Sequence, residues 1–427
     1  MVRPRATYLI LPLYVFASLI FTWPLIRDFD RAIPSSGPGA DPGIQAFILS
    51  WDARTLLTNP PQLFHPPIFF PERNTLTYMD HMVGETALAA PAFMSFHSAA
   101  AAYNYLVLLS FVISGWAVYR LTRLLGGSRP GAFLAGFLFS FSPYRFANLD
   151  LLNQLQTEFI PLGLFFGIRY LRRFRKRDLA GIAGTMTIQI YCGWYYAYYL
   201  AIALGLLFLY SILRGDLRDR WMPVAALGAA IAISALLASP VIFPYVHEHR
   251  ILPEFHRSLG ESALYSADVL DYFKGSGGAQ LASLAPLGTG VQSYWPGLVT
   301  VLLAFAGIIA RRAKRMGEEG YFLALAAVSF VLSLGPILHA AGARIWVPLP
   351  YAALYYAVPG FSGMRAPARF ACLVTLALSV LAGVGCERLR DRLRPQPTLW
   401  RSTLAAAFVL AVLCAWPVPL SLLELPS

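Results

Sequence analysis

The sequence alternates between long apolar stretches and short polar segments. A helix needs about 20 mainly apolar residues to cross the hydrocarbon core of a bilayer, and by that measure the chain has about eleven candidate spans. They lie at roughly 6–26, 88–119, 131–147, 159–171, 179–193, 195–213, 221–243, 295–310, 320–338, 368–386 and 402–418. The stretch at 88–119 is too long for one span, so we expect it to begin as an interfacial helix around Pro91. The pattern predicts an all-α polytopic membrane protein.

The composition agrees with this pattern. Hydrophobic residues make up 57% of the chain and charged residues only 13%, whereas an ordinary soluble domain carries about 25% charged residues. So few charges exclude a cytosolic enzyme, a disordered protein and a disulfide scaffold. The cysteines lie in or beside apolar stretches without C-x-x-C spacing, which indicates core residues and no zinc site. These residues are Cys192, Cys372, Cys386 and Cys414.

Basic residues are grouped in every second loop of this arrangement. The chain has 34 basic and 22 acidic residues, and short basic groups between spans indicate cytoplasmic loops instead of nucleic-acid binding. The groups lie at Arg3/Arg5, Arg120–Arg129, Arg169–Arg177, Arg214–Arg220, Arg311–Arg315 and Arg388–Arg401. The alternation predicts a plasma-membrane (inner-membrane) protein with a cytoplasmic N-terminus and an outer C-terminus. The first apolar run has no convincing A-x-A site after it, so we expect it to be retained.

Three longer loops then face outward, at residues 27–84, 245–294 and 339–367. We expect any chemistry on this face. The chain contains no G-x-x-x-x-G-K-[ST], no G-x-G-x-x-G after a strand and no G-x-S-x-G, which leaves ATPase, Rossmann and hydrolase functions unsupported. The pattern HEHRILPEFH at 247–256 lacks H-E-x-x-H spacing, and neither it nor the His65/Asp80/His81/Glu85 group predicts a metal held by the protein.

Asp41 is the first carboxylate after the Gly/Pro-rich turn of the first outer loop. The spacing of Ile44, Phe47, Ile48 and Trp51 predicts a helix from Pro42 onward. Asp41 can therefore act as the N-cap of that helix, or it can serve as a general base held at the membrane surface.

This long first loop with an early carboxylate resembles the GT-C superfamily of membrane glycosyltransferases. RFANLDLLNQLQTEFIPLGLFFGIRYLRR (145–173), IQIYCGWYYAYYL (188–200) and PGFSGMRAPARF (359–370) are similar to stretches of large bacterial membrane proteins grouped with that superfamily. The resemblance implies a single GT-C-like domain over 1–427, whose first outer loop carries an interfacial helix. It also implies transfer of a sugar, with inversion, from a polyprenyl-phosphate donor to an outer glycan, lipid or protein acceptor.

The resemblance assigns the role of base to Asp41, with Asp52 and Asp80 as rival carboxylates in the same loop. Arg365 and Arg369 are expected to contact the leaving phosphate; if the chain is helical from Ala366, they share one face. Alternatively they pair with outer carboxylates. Further substrate contacts are expected from outer-loop polar residues, although the group at 144–158 could equally be a solvated turn. These residues are Asp80, His81, Tyr144, Arg145, Gln154 and Glu158.

Asp41 could also share a divalent cation with the donor phosphate; no other cofactor is expected. Three features depart from the family pattern: Asp41 is followed by Pro42 and not by a second acidic residue, Asp52 and Asp80 are rival carboxylates, and the sequence ends at Ser427, where many relatives continue into an outer domain. The chain is then a minimal version, a fragment or one half of a two-gene system. A transporter or flippase of lipid-linked saccharides, and a non-catalytic subunit of envelope assembly, are the alternatives. The near absence of charges at the centres of the spans argues against transport.

Overall fold

The computed structural model describes residues 10–35, 41–215, 217, 221–252, 257–276, 287, 289–290, 293–309, 317–416 and 419–425. Parts of the predicted basic groups, at Arg3/Arg5, Arg218/Arg220 and Arg311–Arg315, lie outside these residues. So do residues 36–40, which precede Asp41, and residues 253–256 of the histidine-containing stretch.

The described residues form eighteen α-helices, and every predicted span overlaps at least one of them, which confirms the all-α class. Helices α1–α18 are, in order, Leu11–Phe21, Asp41–Thr58, Val83–Phe96, Ala99–Leu124, Arg129–Ser140, Pro143–Phe146, Leu152–Leu155, Phe159–Arg173, Lys176–Cys192, Trp194–Leu213, Trp221–Leu237, Ser239–Ile251, Leu259–Leu264, Leu298–Ile309, Glu319–Ser333, Tyr351–Ala357, Ala371–Arg392 and Pro397–Ala415. Short 3₁₀ turns occupy Pro60–Gln62, Thr75–Tyr78, Val269–Phe273, Phe361–Gly363 and Pro367–Phe370.

Several of these helices are long and apolar enough to cross a membrane, and the chain is a multi-pass membrane protein. Within the described ranges, the helices that meet the length and hydropathy of a span are Ala99–Leu124, Trp194–Leu213, Pro367–Arg392 and Pro397–Ala415. Helices α11 and α12 meet at a bend of 79° and would make a fifth if they form one span. Three further helices, α1, α14 and α15, are apolar but shorter. The count of eleven spans and the orientation therefore remain predictions.

The predicted apolar stretch at 88–119 is divided between two helices, α3 and α4. Helix α3 ends at Phe96, and His97 has a positive φ of 52°. The amide of His97 donates to the carbonyl oxygen of Phe93 at 3.0 Å, which satisfies a carbonyl at the end of the helix. This left-handed residue, and not Pro91 inside α3, separates the two helices.

The chain forms two compact units, and the predicted single domain stays a prediction. Unit A comprises the described residues of 1–21, 111–147 and 257–418, and unit B those of 22–110, 148–256 and 419–427. In unit A, α17 packs against α5, α14 and α15. Glycines allow this close approach: a Cβ added at Gly131 would lie 2.8 Å from the carbonyl oxygen of Gly383, and one at Gly307 would lie 2.5 Å from the Cα of Gly385.

In unit B, α9 packs against α3, α8, α10 and α11. Gly163 of α8 faces the side chain of Leu200 in α10, where an added Cβ would approach to 2.6 Å. Helix α3 approaches the end of α9 just as closely, because a Cβ at Gly84 would lie 2.6 Å from the Sγ of Cys192. The packing fixes the start of α3, where Glu85 lies, against α9.

The strands are short and form three two-stranded pairs. Strands β1–β6 are Ala32–Pro34, Gly275–Ser276, Thr289–Gly290, Ile337–Ala340, Ala343–Pro348 and Leu422–Glu424. In unit B, β1 pairs antiparallel with β6. In unit A, β2 pairs parallel with β3, and β4 and β5 form an antiparallel hairpin.

Candidate functional site

Unit B contains a group of carboxylates around the start of α3, which we call the carboxylate cluster: Asp52, Asp80, Glu85 and Glu158. Glu85 is fully buried. Burial raises its pKa well above the ordinary value, and the charges of Asp80, Glu158 and Asp52 raise it further. Asp52, Asp80 and Glu158 are therefore all close enough to Glu85 to influence its protonation.

Asp52 is the member contributed by helix α2. Its side chain lies on the buried face of that helix and has no exposed surface. Burial raises its pKa from 3.8 to about 7, and an interaction with the backbone of Met82 offsets part of this effect. A carboxyl group with no exposed surface cannot meet an incoming substrate in this conformation, whatever its pKa.

Asp80 is half-buried and is held by a chain of amide hydrogen bonds. The Nδ2 of Asn153 donates to a carboxylate oxygen of Asp80 at 2.7 Å. The Nε2 of Gln45 donates to the Oδ1 of Asn153 at 3.3 Å, and the Oε1 of Gln45 accepts from the amide of Leu152 at 2.6 Å. Asn153 and Gln45 were missed as site residues. Only the polar run at 148–158 indicated Asn153, and no pattern indicated Gln45.

Asp41 is the first residue of α2, and its side chain is exposed. At 100° per residue, Asp41, Gln45 and Asp52 lie on the same side of the helix. Asp52 is eleven residues on, which is about 16 Å along the axis. Gln45 is only one turn from Asp41 and is linked through Asn153 to Asp80. The geometry thus associates Asp41 with Asp80 and separates it from Asp52. Residues 36–40, which precede Asp41, lie outside the described ranges, and its role as an N-cap stays a prediction.

His81 lies behind this surface and has no exposed area. Its ring meets Trp194 and Tyr245 edge-on, at centroid distances of 5.5 and 5.7 Å. Its backbone amide donates to the hydroxyl of Tyr245 at 2.9 Å, and that hydroxyl donates to the carbonyl oxygen of Met79 at 2.6 Å. Burial lowers the pKa of His81 to about 4, partly offset by the backbone of Tyr191. In this conformation His81 supports Asp80 and does not reach a substrate.

Gln154 and Glu158 are also buried. The carbonyl oxygen of Gln154 accepts a hydrogen bond from the hydroxyl of Tyr196 at 2.7 Å. Glu158 precedes α8, and its Oε2 accepts from the hydroxyl of Ser110 at 3.0 Å. The segment expected to be an outer polar turn is therefore packed into unit B, because its polar groups find partners within the protein. The alternative of a solvated turn is wrong for these two residues.

Unit A contains the two candidate phosphate-binding arginines. The guanidinium of Arg365 lies over the ring of Tyr265, 4.4 Å from its centroid. Both arginines are half-buried. Arg369 belongs to a 3₁₀ turn that begins only at Pro367, so Arg365 lies before the helical segment. The assumption of a shared helix face is wrong, because the chain is not helical between Arg365 and Pro367.

Hydrogen bonds fix the backbone around these arginines. The carbonyl oxygen of Met364 accepts from the hydroxyls of Tyr351 at 3.1 Å and Ser262 at 3.4 Å. The amide of Ala368 donates to the carbonyl oxygen of Tyr265 at 3.3 Å. The segment from Met364 to Ala368 is thus attached on both sides of Arg365, which limits the positions that its guanidinium can take.

Tyr144 and Arg145 lie close together in sequence but have different environments. The hydroxyl of Tyr144 donates to the carbonyl oxygen of Arg369 at 3.5 Å, and its ring lies 6.3 Å from that of Tyr294. The fully buried Arg145 places its guanidinium over the rings of Phe111 and Phe139, at 5.1 and 5.7 Å. Arg145 therefore has a packing role in this conformation, because it lacks the surface that a substrate contact needs.

Tyr294 is a further candidate that the sequence did not indicate. It is half-buried, between Tyr144 and Tyr272, with 5.7 Å between its ring and that of Tyr272. Burial and the charge of Asp271 raise its pKa, whereas the charge of Arg369 lowers it. Tyr294 is thus close enough to Arg369 to help position it.

The part of the chain that the structure describes contains no group of three or more His, Cys, Asp or Glu residues placed to hold a metal ion. Carboxylate oxygens are nevertheless suitable ligands for a divalent cation. Such an ion beside Asp41 would need oxygen ligands from a phosphate as well as from the protein.

The chain belongs to the family described as a domain of unknown function (DUF6311), whose model matches residues 15–415. No curated protein sequence matches it. The chain is similar to ArnT from Cupriavidus metallidurans, whose crystal structure contains undecaprenyl phosphate. The TM-score is 0.52, and the alignment has 14% identity over 95% of this chain and 64% of ArnT. The chain thus spans less than two thirds of ArnT. The fold is GT-C-like, and at this identity the likeness concerns the fold alone.

The oligosaccharyltransferase of Archaeoglobus fulgidus, crystallised with a tethered acceptor peptide, also aligns with the chain. The TM-score is 0.48, with 14% identity over 97% of this chain and 54% of that protein.

Proposed function

We propose that this protein is a membrane glycosyltransferase that transfers a sugar, with inversion, from a polyprenyl-phosphate donor to an acceptor on the outer face. The observation that carries the proposal is the arrangement on α2. Within a GT-C-like fold, it presents the exposed Asp41 one turn from Gln45, which is linked through Asn153 to Asp80. The complex of ArnT with undecaprenyl phosphate supports a lipid-linked donor.

In this mechanism Asp41 accepts the proton of an acceptor hydroxyl as its oxygen bonds to the anomeric carbon of the donor. The bond between that carbon and the phosphate oxygen breaks, and the phosphate leaves with the bonding electrons. Asp41 suits the role because an acceptor can reach its exposed side chain. Asp80, oriented by the amide of Asn153, would bind the sugar or acceptor by hydrogen bonds.

The departing phosphate needs fixed positive charge. Arg365 and Arg369 would supply it, because guanidinium groups match phosphate oxygens and both backbones are attached to neighbouring segments. The ring of Tyr265 restricts Arg365 further through a cation–π contact. In unit A, Tyr144 and Tyr294 would support Arg369. In unit B, the buried His81, Gln154 and Glu158 would support the surroundings of Asp80.

The proposal is tested with purified protein in liposomes, supplied with a panel of radiolabelled polyprenyl-phosphate sugars. Asp41→Asn is expected to reduce transfer at least about 100-fold, the lower bound for general base catalysis. Asp30→Asn is the matched control, since Asp30 is an exposed carboxylate of the same loop, and it should transfer normally. Full activity in Asp41→Asn together with loss in Asp80→Asn would move the role of base to Asp80.

Replacement of either arginine tests donor binding. Arg365→Ala or Arg369→Ala removes an interaction with a charged group, which is worth about 1.5–3 kcal/mol, and should weaken donor use about 10- to 150-fold. Arg394→Ala, at an exposed position, is the control. Donor saturation curves like those of the unmodified protein would show that both arginines are structural.

Transport or flipping of a lipid-linked saccharide is a second candidate. The 79° bend between α11 and α12 favours it, because broken spans often form binding sites in transporters. Liposomes without acceptor separate the two functions. Movement of the donor between leaflets at equal rates in the unmodified protein and in Asp41→Asn would favour transport, whereas acceptor-dependent transfer lost in Asp41→Asn favours the glycosyltransferase.

A further inference from the structure

The hairpin of β4 and β5 in unit A is unusual in exposing apolar residues on both of its faces. Every residue of β5 is exposed, and those of β4 are half-exposed. Trp346 is 83% exposed, and its neighbours Ile345 and Val347 are 41% and 46% exposed. Because successive strand residues point to opposite faces, Trp346 projects from one face and the two aliphatic residues project from the other.

The hairpin is held in place by contacts at its tip and at its base. Its two-residue turn has positive φ at Ala341 and Gly342, 54° and 79°, a conformation that alanine seldom adopts. The carboxylate of Asp268 accepts from both turn amides, at 3.1 and 2.8 Å. At the base, the amide of Leu349 donates to the carbonyl oxygen of Pro336 at 2.9 Å. An isolated hairpin is only marginally stable in water, so these contacts maintain its exposed apolar surface.

The neighbouring elements indicate what covers this surface. The hairpin begins four residues after the apolar helix α15 ends at Ser333, and the candidate span Pro367–Arg392 follows it. Between them, Tyr356 of α16 is 77% exposed. Exposed Trp and Tyr residues beside membrane-crossing helices are typical of the membrane–water interface. Arg344, which pairs across the hairpin with His339, adds a cation that suits lipid phosphates.

We propose that the hairpin is a membrane-contacting element that inserts Trp346 into the headgroup region of the bilayer crossed by the adjacent helices. The contact would extend the exposed apolar surface of α15, to which Val328 belongs. It would also fix the depth of the chain between Leu349 and Ala366, which carries Arg365. The inference rests on exposure and sequence neighbours and does not depend on the proposed transferase activity.

A fluorescent label at position 346, in the exposed strand β5, tests the proposal. Trp346→Cys is made in a Cys414→Ala chain, because the other three cysteines are buried, and is labelled with an environment-sensitive dye. The full-length protein is reconstituted in phosphatidylethanolamine–phosphatidylglycerol liposomes. Quenching is measured with lipids that carry a nitroxide at carbon 5 or 12 and with aqueous iodide. Arg394→Cys is the control, since its side chain is 78% exposed and no apolar patch surrounds it in the sequence.

The dye at position 346 should emit at shorter wavelength than the dye at position 394. Nitroxide at carbon 5 should quench the dye at position 346 at least twofold more than the dye at position 394. It should also quench the dye at position 346 more than nitroxide at carbon 12 does. Iodide should quench it at least twofold less. Equal quenching by iodide at both positions would overturn the proposal, as would shielding from both quenchers, because protein would then cover the hairpin. Val347→Cys repeats the measurement if Trp346→Cys does not fold.

Discussion

Replacement of the buried Asp52 by asparagine is expected to stabilise the protein, by an amount that depends on pH. Asp52 has no exposed surface, and burial raises its pKa to about 7 from 3.8. In the unfolded chain the same carboxyl ionises near its ordinary value. As the pH rises from 4 to 7, the unfolded state loses this proton while the folded state keeps it, so stability falls across this range.

The magnitude follows from the shift of about three pKa units, each worth about 1.36 kcal/mol. At pH 8 both states are ionised, and Asp52 lowers the free energy of unfolding by about 4 kcal/mol relative to a neutral group of the same shape. At pH 5 only the unfolded state is ionised, and the cost is about 2 kcal/mol. The amide introduced by Asp52→Asn would be neutral at every pH and would remove both costs, while its side-chain oxygen could still interact with the backbone of Met82.

The assay is thermal unfolding in detergent micelles, followed by intrinsic fluorescence at pH 5 and pH 8. Asp52→Asn should unfold at a higher temperature than the unmodified protein, with an increment at pH 8 about two to three times that at pH 5. Asp30→Asn, at an exposed site, should show no such pH dependence. The comparison concerns the gain in unfolding temperature of Asp52→Asn over the unmodified protein. A gain at pH 8 that is no larger than the gain at pH 5 would refute a raised pKa.

Three further predictions concern other parts of the chain. Burial lowers the pKa of His81 from 6.5 to about 4. The unmodified protein therefore loses stability as the pH falls from 6.5 to 4, because the unfolded chain binds a proton that the folded chain does not. His81→Phe should avoid about 3 kcal/mol of this loss, as measured by acid unfolding. Gly84→Ala should lower the free energy of unfolding by about 1–3 kcal/mol, because the added Cβ overpacks against Cys192. Gly43→Ala should raise it by about 0.5–1 kcal/mol, because an added Cβ there has open space. Denaturant titration measures both changes. Reporter fusions after Arg177 and after Glu261 should indicate opposite sides of the membrane, and a common side would contradict the eleven-span arrangement.

Hydrophobic patterning predicted the helices well because a membrane segment must satisfy its backbone hydrogen bonds internally. The helix from Pro42 onward was also recognisable from the spacing of Ile44, Phe47 and Trp51. Breaks within apolar runs were not recognisable. The left-handed His97 that separates α3 from α4 lies within the single apolar stretch predicted at 88–119, and no glycine or proline stands at that position to indicate a break.

The candidate site was predictable only in its residue types. Sequence reasoning identified Asp41, Asp80 and Arg365 as polar residues of outer loops, but it could not assign their depth. Glu158 and Arg145 were expected to meet a substrate, yet they are fully buried with partners from distant parts of their units. Burial of a polar residue depends on tertiary partners such as Ser110 and Phe111, and a single sequence does not pair positions so far apart.

The contrast between Asp41 and Asp52 gives the strongest physical argument for the assignment of the base. The two carboxylates lie on the same side of one helix, eleven residues apart, but one is exposed and the other has no exposed surface. A base must meet its substrate. Asp52 does not meet this condition in the described conformation, because its side chain has no exposed surface. Since Asp80 is linked to Gln45, one turn from Asp41, the chemistry is expected at the N-terminal end of α2.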